Sequence, residues 1–197
     1  MEENSLKPGY RLLVVGGSAG SLDVILTFIP KLRTDLPFAI VLVLHRKSNA
    51  SSVLIDLLAA KTPLPVKEAE EKEPLQAGKI YLAPPDYHLL VEKDFTVSLD
   101  DSEKVHHSRP SIDVTFETAA EAYGPALACL LLSGANADGA EGIRCAKQLK
   151  GLTLVQDPRT AEVSYMPQQA IETQSVDKVV SVLQMHEVIN SLADARQ

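Results

Sequence analysis

The first apolar run of the chain ends in a glycine-rich corner, and that corner restricts the fold more than any other segment. Leu12-Leu13-Val14-Val15 reads as a buried strand, and Gly16-Gly17-Ser18-Ala19-Gly20-Ser21 follows without a break. Leu22, Val24, Ile25, Phe28, Ile29 and Leu32 then recur at helical spacing. The glycines let the backbone turn sharply and leave room above Ser18. The helix start offers unpaired N–H groups beside it. Such a corner suits either a bound phosphate or a serine nucleophile with an oxyanion site.

Three more segments, 38–44, 126–132 and 152–155, are nearly continuous apolar runs like 11–15. Parallel strands covered on both faces read this way. Helical patterns lie between them: Val53, Leu54, Leu57 and Leu58 on one side of 51–60, Ile112, Phe116, Ala119, Ala120 and Tyr123 in 111–123, and Ala140, Ile143, Ala146 and Leu149. A last helix uses Leu183, Val188, Ile189 and Leu192. The alternation predicts an α/β fold, a doubly wound and mostly parallel sheet flanked by helices. Segments 79–83, 87–92 and 95–99 read as short strands. Lys93-Asp94 suggests a two-residue hairpin turn, which places an antiparallel hairpin at the sheet edge. Residues 1–9 form a polar lead, and 10–195 a single domain. The charge run 67–73 reads as a solvated loop or edge.

In doubly wound sheets, sites form beyond the carboxyl ends of the strands. The first strand ends in Gly17-Ser18, the second in His45, and the third runs into Ser133-Gly134-Ala135-Asn136-Ala137-Asp138-Gly139. Serine needs a base to take its proton. Histidine can take it and later return it to the leaving group. A carboxylate across the ring fixes the tautomer. Each residue also has a plainer reading. Ser18 could line a phosphate turn or cap its helix, His45 could be a structural histidine, and Asp138 is placed to cap the helix carrying Ile143. Their concurrence at one rim favours catalysis. Against a phosphate site, neither G-x-G-x-x-G nor G-x-x-x-x-G-K-[ST] occurs.

The 197 residues carry a net charge of −7, which argues against a nucleic-acid partner. Cys129 and Cys145 read as buried free thiols, and no segment reaches transmembrane length. The expected location is the cytoplasm.

Six ordered blocks carry a family resemblance: Val14-Val15-Gly16-Gly17-Ser18-Ala19-Gly20, Leu44-His45, the run from Ile80 to His88, Arg109-Pro110-Ser111-Ile112-Asp113-Val114, the run from Leu132 to Gly142, and Gln156-Asp157-Pro158 with Met166-Pro167. Together they resemble the catalytic domain of the chemotaxis receptor methylesterases, the CheB type. The resemblance implies hydrolysis of glutamate γ-methyl esters on the cytoplasmic helices of chemoreceptors, and deamidation of particular receptor glutamines. It implies Ser18 as nucleophile, His45 as base and Asp138 as its orienting partner. The amides of Ala19 and Ala135 would hold the oxyanion. Arg109 would sit near the substrate face, or else form a surface salt bridge. No metal or organic cofactor is implied, and no membrane insertion. Family members often carry methionine at the position of Ala135 and glycine at that of Ser21. They also usually carry an N-terminal receiver domain, for which the short lead leaves no room. The expectation is a constitutive enzyme, one controlled by a separate regulatory protein, or a fragment of a longer chain. The competing expectations are a phosphate- or nucleotide-binding module and a catalytically silent signalling scaffold.

Overall fold

The computed structural model describes residues 9–46 and 51–195; most of the expected polar lead lies outside them. A seven-stranded sheet runs in the order β3-β4-β2-β1-β7-β8-β9. Its strands are β1 (Leu12–Gly17), β2 (Ala39–Leu44), β3 (Val66–Glu68), β4 (Ile80–Leu82), β7 (Leu127–Leu131), β8 (Leu152–Gln156) and β9 (Lys178–Val180). Every pairing within it is parallel.

The continuous apolar runs are explained by burial on both faces. Leu13 and Val15 face a cluster completed by α1 (Ser21–Phe28), α2 (Ser51–Ala59) and α6 (Met185–Leu192). Leu12 and Val14 face the opposite cluster, built from α3 (Ile112–Tyr123), α4 (Ala140–Gln148) and α5 (Tyr165–Glu172). β1 lies at the centre. The chain moves outward from it to β2 and on to the edge strand β3, comes back between them as β4, then crosses to β7 on the other side of β1. That reversal creates the crevice in which α/β sheets place their sites.

Several expectations need correction. The hairpin β5 (His88–Val91) and β6 (Val97–Asp100) forms its own two-stranded antiparallel sheet rather than an edge of the main one. Leu89, Val91 and Val97 bury against the α3 side of the core, so the hairpin covers a helix layer. Its turn is longer than Lys93-Asp94: Glu92 N donates to Thr96 O at 2.9 Å, and the Asp94 carboxylate accepts from Thr96 N at 3.1 Å. In α2 Leu54 and Leu58 are buried, while Val53 is 70% exposed. Leu183 is 76% exposed and precedes α6. Cys129 is buried, Cys145 partly so, and both are free.

Candidate active site

Gly16 is the residue that lets the site assemble. A Cβ there would lie 2.3 Å from Ile112 Cγ2, so only glycine allows the first turn of α3 to settle over the end of β1. That turn then presents its unpaired amides at the strand ends. Ile112 N donates to Asp138 Oδ2 at 2.7 Å, and Asp113 N donates to Asp138 Oδ1 at 2.9 Å. Ser111, at the N-cap of α3, donates its hydroxyl to Asp138 Oδ1 at 2.8 Å. Ser111 N in turn donates to Nδ1 of the buried His88 at 3.1 Å, and His88 Nε2 donates to Glu103 O at 2.9 Å.

Asp138 is fully buried. Burial pushes its carboxyl up, but the His45 ring and the Asp113 and Ile112 amides outweigh burial and hold it below the ordinary carboxylate value. It is therefore an ionised acceptor, and His45 Nε2–H donates to Asp138 Oδ2 at 2.7 Å. This fixes the neutral ring with its proton on Nε2 and its free lone pair on Nδ1. The arrangement is the reverse of the serine-protease triad, where Nδ1 faces the carboxylate.

Ser18 directly follows Gly17, whose carbonyl accepts the His45 backbone amide. His45 N donates to Gly17 O at 3.2 Å, continuing the β1–β2 register in which Gly17 pairs with Leu44. On the other side, Ser18 N donates to Ser133 O at 2.9 Å. The strand ends thus bring Ser18, His45 and Asp138 to one rim. The Ser18 hydroxyl takes no hydrogen bond among the described residues, and the hydroxyl that faces His45 Nδ1, at 3.3 Å, belongs to Ser108.

The amides of Ala19 and Ala135 donate to no protein acceptor among the described residues, and both residues are exposed. The buried Ser133 shapes both loops. Its hydroxyl donates to Ala19 O at 2.7 Å and accepts from Val163 N at 2.9 Å, while its amide donates to Gln156 Oε1 at 2.9 Å. Gly134 N donates to Val163 O at 3.1 Å, and Met166 N returns a bond to Gly134 O at 3.0 Å.

Two expectations fail locally. Asp138 does not cap the helix that carries Ile143. Gly139 holds that N-cap position in α4 without a side-chain bond, and the Asp138 carboxylate serves α3 instead. The α4 amides are taken by Asp113, whose Oδ1 accepts from Gly139 N at 2.9 Å and Gly142 N at 2.7 Å. Arg109 makes no salt bridge among the described residues. Its Nη1 donates to the carbonyls of Asp101 and Ser102, the latter at 2.7 Å, which ties down the 101–109 segment. Ser108, Ser111, Asp113, His88 and Ser133 all shape the site without having been singled out from sequence.

Asp113 is buried with Asp138 nearby. Burial pushes its carboxyl up to about 6, Asp138 adds to the rise, and the Gly142 and Gly139 amides and His106 oppose it. His106 Nε2 lies 3.0 Å from Asp113 Oδ2. His106, Asp113 and Asp138 bring ligand atoms within 4.8 Å of one another. Asp138, however, already has both oxygens engaged by Ser111, Asp113, His45 and Ile112, so the set does not suit a metal ion.

Residues 13–189 match the family model described as CheB methylesterase. A Leptospira interrogans protein, provisionally named a protein-glutamate methylesterase/protein-glutamine glutaminase, is 45% identical over 179 residues, covering 91% of this chain and 93% of its own. A Halobacterium salinarum protein-glutamate methylesterase/protein-glutamine glutaminase is 36% identical over 181 residues, and the match covers 90% of this chain but 52% of that protein. The crystal structure of the Thermotoga maritima CheB methylesterase catalytic domain superposes with a TM-score of 0.89 at 31% identity, covering 94% of this chain and 100% of that one.

Proposed function

The chain belongs to the CheB methylesterase family, and from that premise we propose that it is a serine hydrolase acting on glutamate γ-methyl esters in chemoreceptor helices and on particular receptor glutamines. The observation that supports this reading is the 2.7 Å bond from His45 Nε2 to the buried Asp138, in a residue whose backbone amide bonds Gly17 O, next to Ser18.

The steps follow from the groups present. Ser18 Oγ attacks the γ-carbonyl carbon as His45 Nδ1 takes its proton. Asp138 holds the ring in the required tautomer and favours the imidazolium that forms. The amides of Ala19 and Ala135, which have no protein acceptor among the described residues, receive the oxyanion; one such donor is typically worth about 3 kcal/mol of barrier. His45 then protonates the leaving group, methanol from an ester or ammonia from an amide. Water attacks the acyl-enzyme, with His45 again as base. Arg109 acts indirectly, by holding the loop that borders the site.

No helix among the described residues is long and apolar enough to cross a membrane. The substrate is the cytoplasmic part of a receptor, so the enzyme works in the cytoplasm.

Ser18→Ala tests the reading. Methanol release from a methylated receptor bundle should vanish while the variant melts like the parent. Turnover at the parental rate would remove Ser18 from the role of nucleophile.

A further inference from the structure

The one free lone pair of the His45 ring is already occupied. Nδ1 faces Ser108 Oγ at 3.3 Å. Because Nε2 carries the ring proton toward Asp138, the Ser108 O–H is the donor. Meanwhile the Ser18 hydroxyl has no partner among the described residues.

Ser108 reaches the ring on an unusual turn. Val105 N donates to Ser108 O at 3.2 Å, and Ser108 N donates to Val105 O at 2.9 Å. Between them, His106 and His107 both have positive φ, 48° and 61°. Two successive left-handed residues make a tight turn that favours Asn-Gly. With two histidines the backbone is strained, and strain of this kind persists only where surrounding contacts impose it. One such contact is His106 Nε2 on Asp113 Oδ2, at 3.0 Å. A single strained turn therefore sets a hydroxyl on the base and an imidazole on the carboxylate that caps α4.

We propose that Ser108 is a positioning residue that keeps the His45 lone pair engaged until the Ser18 hydroxyl displaces it. The proposal rests on Ser18 being the nucleophile. An imidazole nitrogen has one in-plane lone pair, so Ser18 and Ser108 cannot both donate to it at full strength. Reaction at Ser18 carries the cost of releasing one neutral hydrogen bond, and a substrate that pushes the 105–108 turn aside removes that cost. Ser108 thus favours substrates large enough to contact the turn over small esters.

Acylation by a small probe tests this on the full chain. With phenylmethylsulfonyl fluoride, the Ser18 Oγ–S bond forms, the S–F bond breaks and fluoride leaves. His45 takes the hydroxyl proton and passes it to water. Rates are followed by intact mass, and the labelled residue is identified by peptide mapping. Ser108→Ala and Ser108→Gly should label at Ser18 about fivefold faster than the parent, the factor one neutral hydrogen bond is worth. Ser108→Thr, which keeps a hydroxyl, should return the rate toward the parental value, and melting temperatures should be unchanged. Labelling of Ser18 in the Ala and Gly variants at the parental rate or slower overturns the proposal and leaves the role of Ser18 intact. A label on Ser108 in the parent overturns both.

Discussion

Asp138 and Asp113 cap each other's helices. The Asp138 carboxylate, just before α4, accepts the first amides of α3, while Asp113 in α3 accepts Gly139 N and Gly142 N at the start of α4. The partner of His45 is therefore fixed by a reciprocal bond between two helix ends. Asp113→Ala leaves two buried amides without acceptors, which should cost about 2–4 kcal/mol and reduce kcat through displacement of Asp138. Asp113→Asn keeps an Oδ1 acceptor and should restore most of both. Denaturant melts and kcat on the same preparations test this; equal behaviour of the two variants would show that the charge, not the acceptor, matters.

The same carboxyl gives stability a distinctive pH dependence. The Asp113 pKa is raised to about 6 in the folded state, against about 3.9 in an unfolded chain. Between these values the folded state binds more protons, so this group's contribution to stability falls as pH rises and is lowest above about 6. The span is worth on the order of 2–3 kcal/mol. Asp138 has the opposite sign: its pKa is lowered, so its contribution is present above the unfolded carboxylate value and lost on acidification through its folded pKa. Comparing the parent with Asp113→Asn isolates the first effect. The parent should gain stability relative to the variant as pH falls from 7 to 4, and parallel curves would refute the assignment.

Asp138→Asn should be far more damaging to catalysis than to shape. An amide there can present N–H to His45 Nε2, which moves the ring proton to Nδ1 and removes the lone pair that Ser18 needs in its proposed role as nucleophile. A loss of about 10³–10⁴ in kcat is expected, as for carboxylate-to-amide changes in other serine triads. The carboxylate's interaction with the α3 N-terminus is also lost, at about 1 kcal/mol. Initial rates and thermal melts separate the two effects.

The sequence made the strand ends legible and the bracing around them much less so. Ser18 and His45 could be read because a parallel register carries adjacent strand ends to the same level. β3 and β9 were hidden because both are three-residue edge strands containing lysine, and edges are commonly kept short and charged. Asp138 was visible as a helix-cap residue, but local sequence pairs a cap with the helix that follows it. Here the helix served is α3, which lies earlier in the chain and is brought in only by the bare surface of Gly16. Ser108 sits in a polar run whose turn depends on positive φ at two histidines, a conformation their side chains do not advertise.

Ser133 offers a test of how the proposed oxyanion amides are held. Its hydroxyl donates to Ala19 O at 2.7 Å, its carbonyl accepts Ser18 N at 2.9 Å, and its own amide is fixed by Gln156. The hydroxyl thus orients the Ala19 carbonyl in the turn that also carries the Ala19 N–H. Ser133→Ala removes the hydroxyl bonds but leaves the backbone bond to Ser18. The Ala19 carbonyl and Val163 amide lose a buried partner, so stability should fall by about 1–3 kcal/mol. The Ser18 turn gains freedom, and kcat should fall about tenfold, since small misplacements of reacting groups cost rate steeply. KM should change little, because no substrate contact is removed. Ser133→Thr keeps the hydroxyl and should recover kcat if the added methyl is accommodated; Ser133→Cys serves as a smaller control. A KM increase with unchanged kcat would instead make Ser133 part of the substrate surface.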